Sequence, residues 1–183
     1  MTLKLILVGC GNMGFAMLSG WLKSGKLKAA DVFVVEPTDA LRERAASLGV
    51  ATGKAAADLP AGARPEIALI AVKPQVIRQV LEEYRQFGAG QTTFVSVAAG
   101  TPIRAFEDIL GASTPVLRCM PNTPAAIGKG MMVTFGNLHV AEKTRDSIEN
   151  LLTASGEVAR VGSEDLMDAV TAVSGSGPAY IFH

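Results

Sequence analysis

Near the start of the chain, Gly9-Cys10-Gly11-Asn12-Met13-Gly14 fits the pattern G-x-G-x-x-G. Each glycine has a separate physical task in that pattern. Gly9 permits a tight turn, Gly11 lets bare backbone approach a pyrophosphate, and Gly14 lets a helix pack closely on a strand. N–H groups at the start of that helix would face the phosphates of a dinucleotide. Val8 ends the apolar run that leads in, and Asn12 and Met13 open the helix that leads out. The alternative is a glycine turn that merely joins strand to helix. Glu36 closes the next apolar run, about twenty residues on, where an acid can accept the hydroxyls of an adenosine ribose. A carboxylate there repels a 2′-phosphate and favours NAD over NADP, while Arg42, Arg44 and Lys54 offer charge that offsets it. A solvated charge at a strand end is the other reading, so the choice between NADP and NAD stays open.

Further candidates follow later apolar runs. Ala71-Val72-Lys73-Pro74 and Val97-Ala98-Ala99-Gly100 each close one, and ligands of open parallel sheets sit beyond the carboxyl ends of strands. The small side chains of Ala98, Ala99 and Gly100 leave room for a flat ring. Ordinary strand-to-helix turns are the alternative for both. In Met120-Pro121-Asn122-Thr123-Pro124 two prolines stiffen the backbone around Asn122, which would bond a nicotinamide carboxamide or a substrate unless the turn is purely structural. Ser174-Gly175-Ser176-Gly177-Pro178 places two hydroxyls and several backbone N–H groups ahead of an apolar segment, a mouth suited to a carboxylate or else a flexible connection. Cys10 and Cys119 have no activating neighbour in sequence and read as packing residues.

The elements that must position these residues alternate in type. Leu3–Val8, Val32–Val35, Ile67–Val72, Thr93–Val97 and Val116–Met120 are short aliphatic runs of the kind buried on both faces of a parallel sheet. Between them, residues 12–24, 38–48, 76–87 and 101–110 carry helical patterns; Met13, Met17, Leu18 and Trp21 form an apolar stripe in the first. Lys73-Pro74 and Thr101-Pro102 read as helix starts. Residues 130–135 and 157–161 are expected as strands, and 141–154 and 164–171 as helices. The fold class is therefore α/β: a Rossmann-type doubly wound, mostly parallel sheet, followed by the start of a helical second domain.

Composition narrows the function. Lys and Arg total 17 and Asp and Glu total 17, so no basic excess advertises nucleic acid. Two cysteines and two histidines without ligand spacing give no metal site, and no apolar run is long enough to span a membrane. A cytoplasmic protein acting on a small molecule is expected.

Taken together, Gly9–Gly14, Ala71–Pro74, Arg118-Cys119-Met120-Pro121-Asn122-Thr123-Pro124 and Val173-Ser174-Gly175-Ser176-Gly177-Pro178-Ala179-Tyr180 resemble the pyrroline-5-carboxylate reductase family. The last two blocks in this order are specific to it, and the resemblance runs from the first strand to the last residue. It implies hydride transfer from NAD(P)H to the C=N carbon of 1-pyrroline-5-carboxylate, giving L-proline. It also implies cofactor contacts from Val8 to Gly14, from Ala71 to Pro74 and from Ala98 to Gly100, with Asn122 near the reactive end and Ser174, Gly175, Ser176 and Gly177 lining the substrate cleft. No acid–base catalytic residue stands out. Members continue into a helical domain that forms a homodimer or higher homo-oligomer, so residues 1–162 are expected as the dinucleotide-binding domain and 163–183 as the beginning of the second, cut short. Such a chain is expected to bind dinucleotide weakly or moderately and to turn over poorly. Glu36 departs from the small hydroxyl residue common in members that favour NADP. A β-hydroxyacid or prephenate-type dehydrogenase and a non-catalytic NAD(P)-binding sensor are the rival readings.

Overall fold

A computed structural model describes residues 3–90 and 92–176. Among these, eight strands form one sheet in the order β3-β2-β1-β4-β5-β6-β7-β8. They are β1 (Leu5–Val8), β2 (Val32–Val35), β3 (Ala51–Gly53), β4 (Ile67–Ile70), β5 (Thr93–Ser96), β6 (Val116–Met120), β7 (Gly130–Gly136) and β8 (Gly156–Arg160). The first six run parallel. β7 turns antiparallel to β6, and β8 follows β7 in parallel.

All residues of β1, β2, β4 and β5 are buried, as aliphatic strands covered on both faces require. Leu5, Leu7, Val32, Val34, Leu69, Val95, Leu117 and Cys119 point to one face, against α1 (Asn12–Lys23), α2 (Asp39–Ala46) and α5 (Glu142–Leu152). Ile6, Val8, Phe33, Val35, Ile70, Phe94 and Val116 point to the other, against α3 (Ile77–Glu82) and α4 (Ile103–Leu110). The expected stripe on α1 is the face it buries: Met17, Leu18 and Trp21 are fully enclosed, each contributing about 2 kcal/mol. Trp21 also donates its indole N–H to the Leu151 carbonyl at 3.1 Å, fixing α1 against α5.

The departures from sequence expectation have local causes. β3 was not anticipated, because its Ala51-Thr52-Gly53 has neither an apolar run nor alternation and its pairing with β2 comes from the tertiary fold. Pro74 opens a short 3-10 turn, Pro74–Val76, before α3 rather than α3 itself. Pro102 sits at the N-cap of α4, one position ahead of the helix. After β8, α6 (Leu166–Val170) passes directly into a π-helical segment, Thr171–Ser176, so the expected loop from Ser174 begins instead as continued helical backbone.

Candidate functional site

β1 has β2 on one side and β4 on the other, so the connections leaving β1 and β4 diverge around a crevice at their carboxyl ends. This is the switch point at which doubly wound sheets hold ligands. Backbone bonds extend the ladder just past the strands: Gly9 N–H to Val35 O at 2.8 Å, Ala71 N–H to Val8 O at 2.7 Å, and Val97 N–H to Ile70 O at 3.2 Å. The three predicted loops at 9–14, 71–74 and 98–100 therefore leave neighbouring strands at one edge.

The glycines divide their tasks as the spacing implies. Gly9 has φ +87°, and a Cβ there would lie 2.7 Å from the Ala71 carbonyl oxygen. At Gly14 a Cβ would stand 2.5 Å from the Gly9 carbonyl oxygen, so helix and turn touch backbone to backbone. Gly11 is different: a Cβ there meets no described atom within 4 Å. Its freedom from crowding leaves open space directly over the start of α1. Gly11 is also the N-cap of α1, with no side-chain cap and no acidic residue in the first turn. The first-turn N–H groups thus face that space without a side-chain acceptor, the arrangement that receives phosphate oxygens. The residues present fit a dinucleotide diphosphate.

Glu36 is not a solvated strand-end charge, one of the two readings its sequence position allowed. It is 5% exposed; one carboxylate oxygen accepts the Cys10 N–H at 2.7 Å and the other the Thr38 N–H at 2.9 Å. Arg44 spans the loop from α2, donating to the carbonyls of Cys10 at 3.0 Å and Gly11 at 3.3 Å while its guanidinium lies 4.1 Å over the Phe15 ring. Sequence reasoning placed Arg44 only as a charge near Glu36; its grip on the loop carbonyls was not foreseeable from spacing. Arg42 bonds the carbonyls of Glu36 and Pro37 as well as Asp39, and Lys54 also pairs with Asp39 at 3.4 Å. Those two ion pairs hold the Asp39 carboxyl below its ordinary range. Burial pushes the Cys10 thiol up to about 11 despite the opposing Arg44 charge, and burial pushes Cys119 up to about 12. Neither is a nucleophile at neutral pH.

The remaining candidates divide. Ala71 and Val72 are half-buried at the crevice edge, and Lys73 and Pro74 are exposed beside it. Ala98 and Ala99 are half-buried and Gly100 is exposed, with φ +65°; Ser96 Oγ accepts the Ala98 N–H at 3.3 Å. Asn122 does not present its whole carboxamide to a ligand, because its side-chain oxygen accepts the Met131 N–H at 2.9 Å and ties the end of β6 to β7. Ser174, Gly175 and Ser176 lie in the π-helical segment, while Gly177 lies outside the described residues. An open groove of about 1030 Å³ along the outer flank of α1 reaches Asn12 and Arg44 but otherwise belongs to Phe15, Thr123 and Ile127 rather than to the crevice.

Comparison with known proteins bears on this geometry. A family model described as NADP oxidoreductase, coenzyme F420-dependent, matches residues 4–100. The pyrroline-5-carboxylate reductase of Haemophilus influenzae is 36% identical over 175 residues, which is 96% of this chain and 64% of that protein. The chain thus spans just under two thirds of the length of this curated relative. A pyrroline-5-carboxylate reductase structure from Coxiella burnetii aligns with TM-score 0.90 at 30% identity, covering 100% of this chain and 67% of that one. A pyrroline carboxylate reductase from Plasmodium falciparum, solved with NADP bound, aligns with TM-score 0.82 at 25% identity, covering 98% and 65%.

Proposed function

Because the chain belongs to the pyrroline-5-carboxylate reductase family, with residues 4–100 in the NADP oxidoreductase, coenzyme F420-dependent family, we propose that it forms the cofactor-binding part of an enzyme reducing 1-pyrroline-5-carboxylate to L-proline with NADPH or NADH. The observation that carries this reading is the open space over Gly11 at an uncapped helix start. First-turn N–H groups of α1 hold the diphosphate there, and Val8 to Gly14 line its approach. Glu36 takes the ribose hydroxyls on the lone pairs that Cys10 and Thr38 leave open. Ala71 to Pro74 and Ala98 to Gly100 seat the rest of the cofactor, with the amide nitrogen of Asn122 toward the reactive end. Ser174, Gly175, Ser176 and Gly177 line the substrate cleft in this reading.

When bound, the reduced nicotinamide supplies the hydride for the C=N carbon, and a proton on the ring nitrogen completes the amine. A protonated cyclic imine is already electrophilic, so the chain's part is to hold donor and acceptor face to face and keep water away. In this reading residues 1–162 form the dinucleotide-binding domain and 163–183 begin a helical dimerisation and substrate domain. The enzyme is a cytoplasmic homodimer or higher homo-oligomer, with a small molecule rather than nucleic acid or membrane as its partner.

The test is oxidation of NADPH and NADH by the intact protein in the presence of pyrroline-5-carboxylate. Imine-dependent oxidation is expected, and Gly11→Val should raise the cofactor KM about tenfold or more, equivalent to ~1.4 kcal/mol of lost binding. Tight cofactor binding without imine reduction would replace the enzyme with a sensor.

A further inference from the structure

Glu164 belongs to none of the motifs above, yet its carboxylate joins three parts of the fold. One oxygen accepts the Ile103 N–H at 2.7 Å and the Arg118 Nη1 donor at 2.8 Å. Ile103 is the first residue of α4, whose N-cap position is Pro102 with no side-chain cap bond. The proline side chain offers no acceptor to a helix start, so the acid comes from 61 residues further along the chain. Arg118 lies on the α4 face of β6, paired with Ser96 of β5 and Phe135 of β7, and its side chain is 6% exposed. A buried guanidinium is costly unless paired. Glu164 is its close partner, and Asp168 stands 3.8 Å from the other Nη atom.

The loop Ala98–Gly100 lies between two anchors. On the strand side, Ser96 Oγ takes the Ala98 N–H; on the helix side, Glu164 takes the Ile103 N–H. Glu164 itself stands at the entrance to α6 and the π-helical segment.

We propose that Glu164 is a positioning residue. Through Ile103 and Arg118 it fixes the Ala98–Gly100 loop against the segment entering α6, and so sets where the nicotinamide end of the dinucleotide lies. The inference rests on the dinucleotide reading given above. Glu164 touches neither the cofactor nor the reacting atoms, and its removal acts on one end of the cofactor only: the adenosine end depends on the glycine loop and Glu36, which Glu164 does not contact.

The experiment titrates the better bound of NADPH and NADH, and its adenosine half alone (2′,5′-ADP or ADP), into wild type, Glu164→Gln and Glu164→Ala, with hydrogen exchange followed across residues 97–104. Glu164→Ala should weaken the whole dinucleotide about tenfold, as loss of a charged hydrogen bond allows. The adenosine half should change by less than about twofold, and exchange at Ile103 should accelerate. Glu164→Gln keeps an acceptor for Ile103 but loses the charge opposite Arg118, and should fall between. Equal weakening of both ligands, or unchanged exchange in Glu164→Ala, overturns the positioning role. A wild-type chain that binds neither ligand overturns the dinucleotide reading and the positioning role with it.

Discussion

Glu36 uses one lone-pair site on each oxygen for the N–H groups of Cys10 and Thr38, and an ionised carboxylate has about four such sites. On the proposed reading the remaining two take the paired hydroxyls of a ribose, and a 2′-phosphate would bring like charge against them. Arg42 and Lys54 are committed to Asp39 and Arg44 to the carbonyls of Cys10 and Gly11, so each cation that could offset that repulsion already has a partner. Glu36→Thr should therefore raise the ratio of kcat/KM for NADPH over NADH about tenfold, an electrostatic change of ~1.4 kcal/mol; the ratio removes any general loosening of the loop from the comparison. A ratio that stays put would mean that Glu36 is only a loop anchor. The place of Glu36 was legible in the sequence because motif, strand and acid follow one another along the chain. Its burial was not, since both partners are backbone groups that only the folded turn presents. The same holds for Asn122, whose oxygen is taken by Met131 across a strand pair, and for Arg118 and Glu164, 46 residues apart. Contacts of that kind leave no mark in local spacing.

Among the elements, α1 carries the heaviest constraint. It must approach β1 closely enough for Gly14 to meet Gly9 backbone to backbone, while its first turn stays open. Gly14→Ala forces a Cβ to within 2.5 Å of a carbonyl oxygen that cannot move away; overpacking of this kind costs about 2 kcal/mol and should lower Tm by about 5 °C in a chain of this size. Gly11→Ala, with space above it and φ −62°, should leave Tm within about 1 °C while weakening dinucleotide binding. Thermal melts of the two variants check the contrast, and similar Tm losses in both would contradict it. Buried parallel strands and the α1 stripe could be read directly, because the requirement to be apolar on both faces of a strand, or on one stripe of a helix, is written in consecutive residues. β3 could not, being three small residues recruited by β2. The π-helical continuation of α6 through Ser176 also escaped, since its Ser-Gly composition reads as loop.

For the molecule as a whole, alternation of strand and helix patterns was enough to give the α/β class and a parallel sheet, but not the strand order or the reversal at β7. Those depend on which edges pair, and the sheet places the divergence between β1 and β4 where the glycine loop and the Ala71–Pro74 turn meet. Everything assigned to the cofactor depends on that crevice rather than on any single side chain. Crystal structures of the protein soaked with NADH and with NADPH test it most directly. The diphosphate should lie over Gly11 with its oxygens about 3 Å from first-turn N–H groups of α1 and the nicotinamide beside Ala98–Gly100. Density for the dinucleotide along the outer flank of α1, or anywhere that leaves residues 9–14 uncovered, would contradict the assignment.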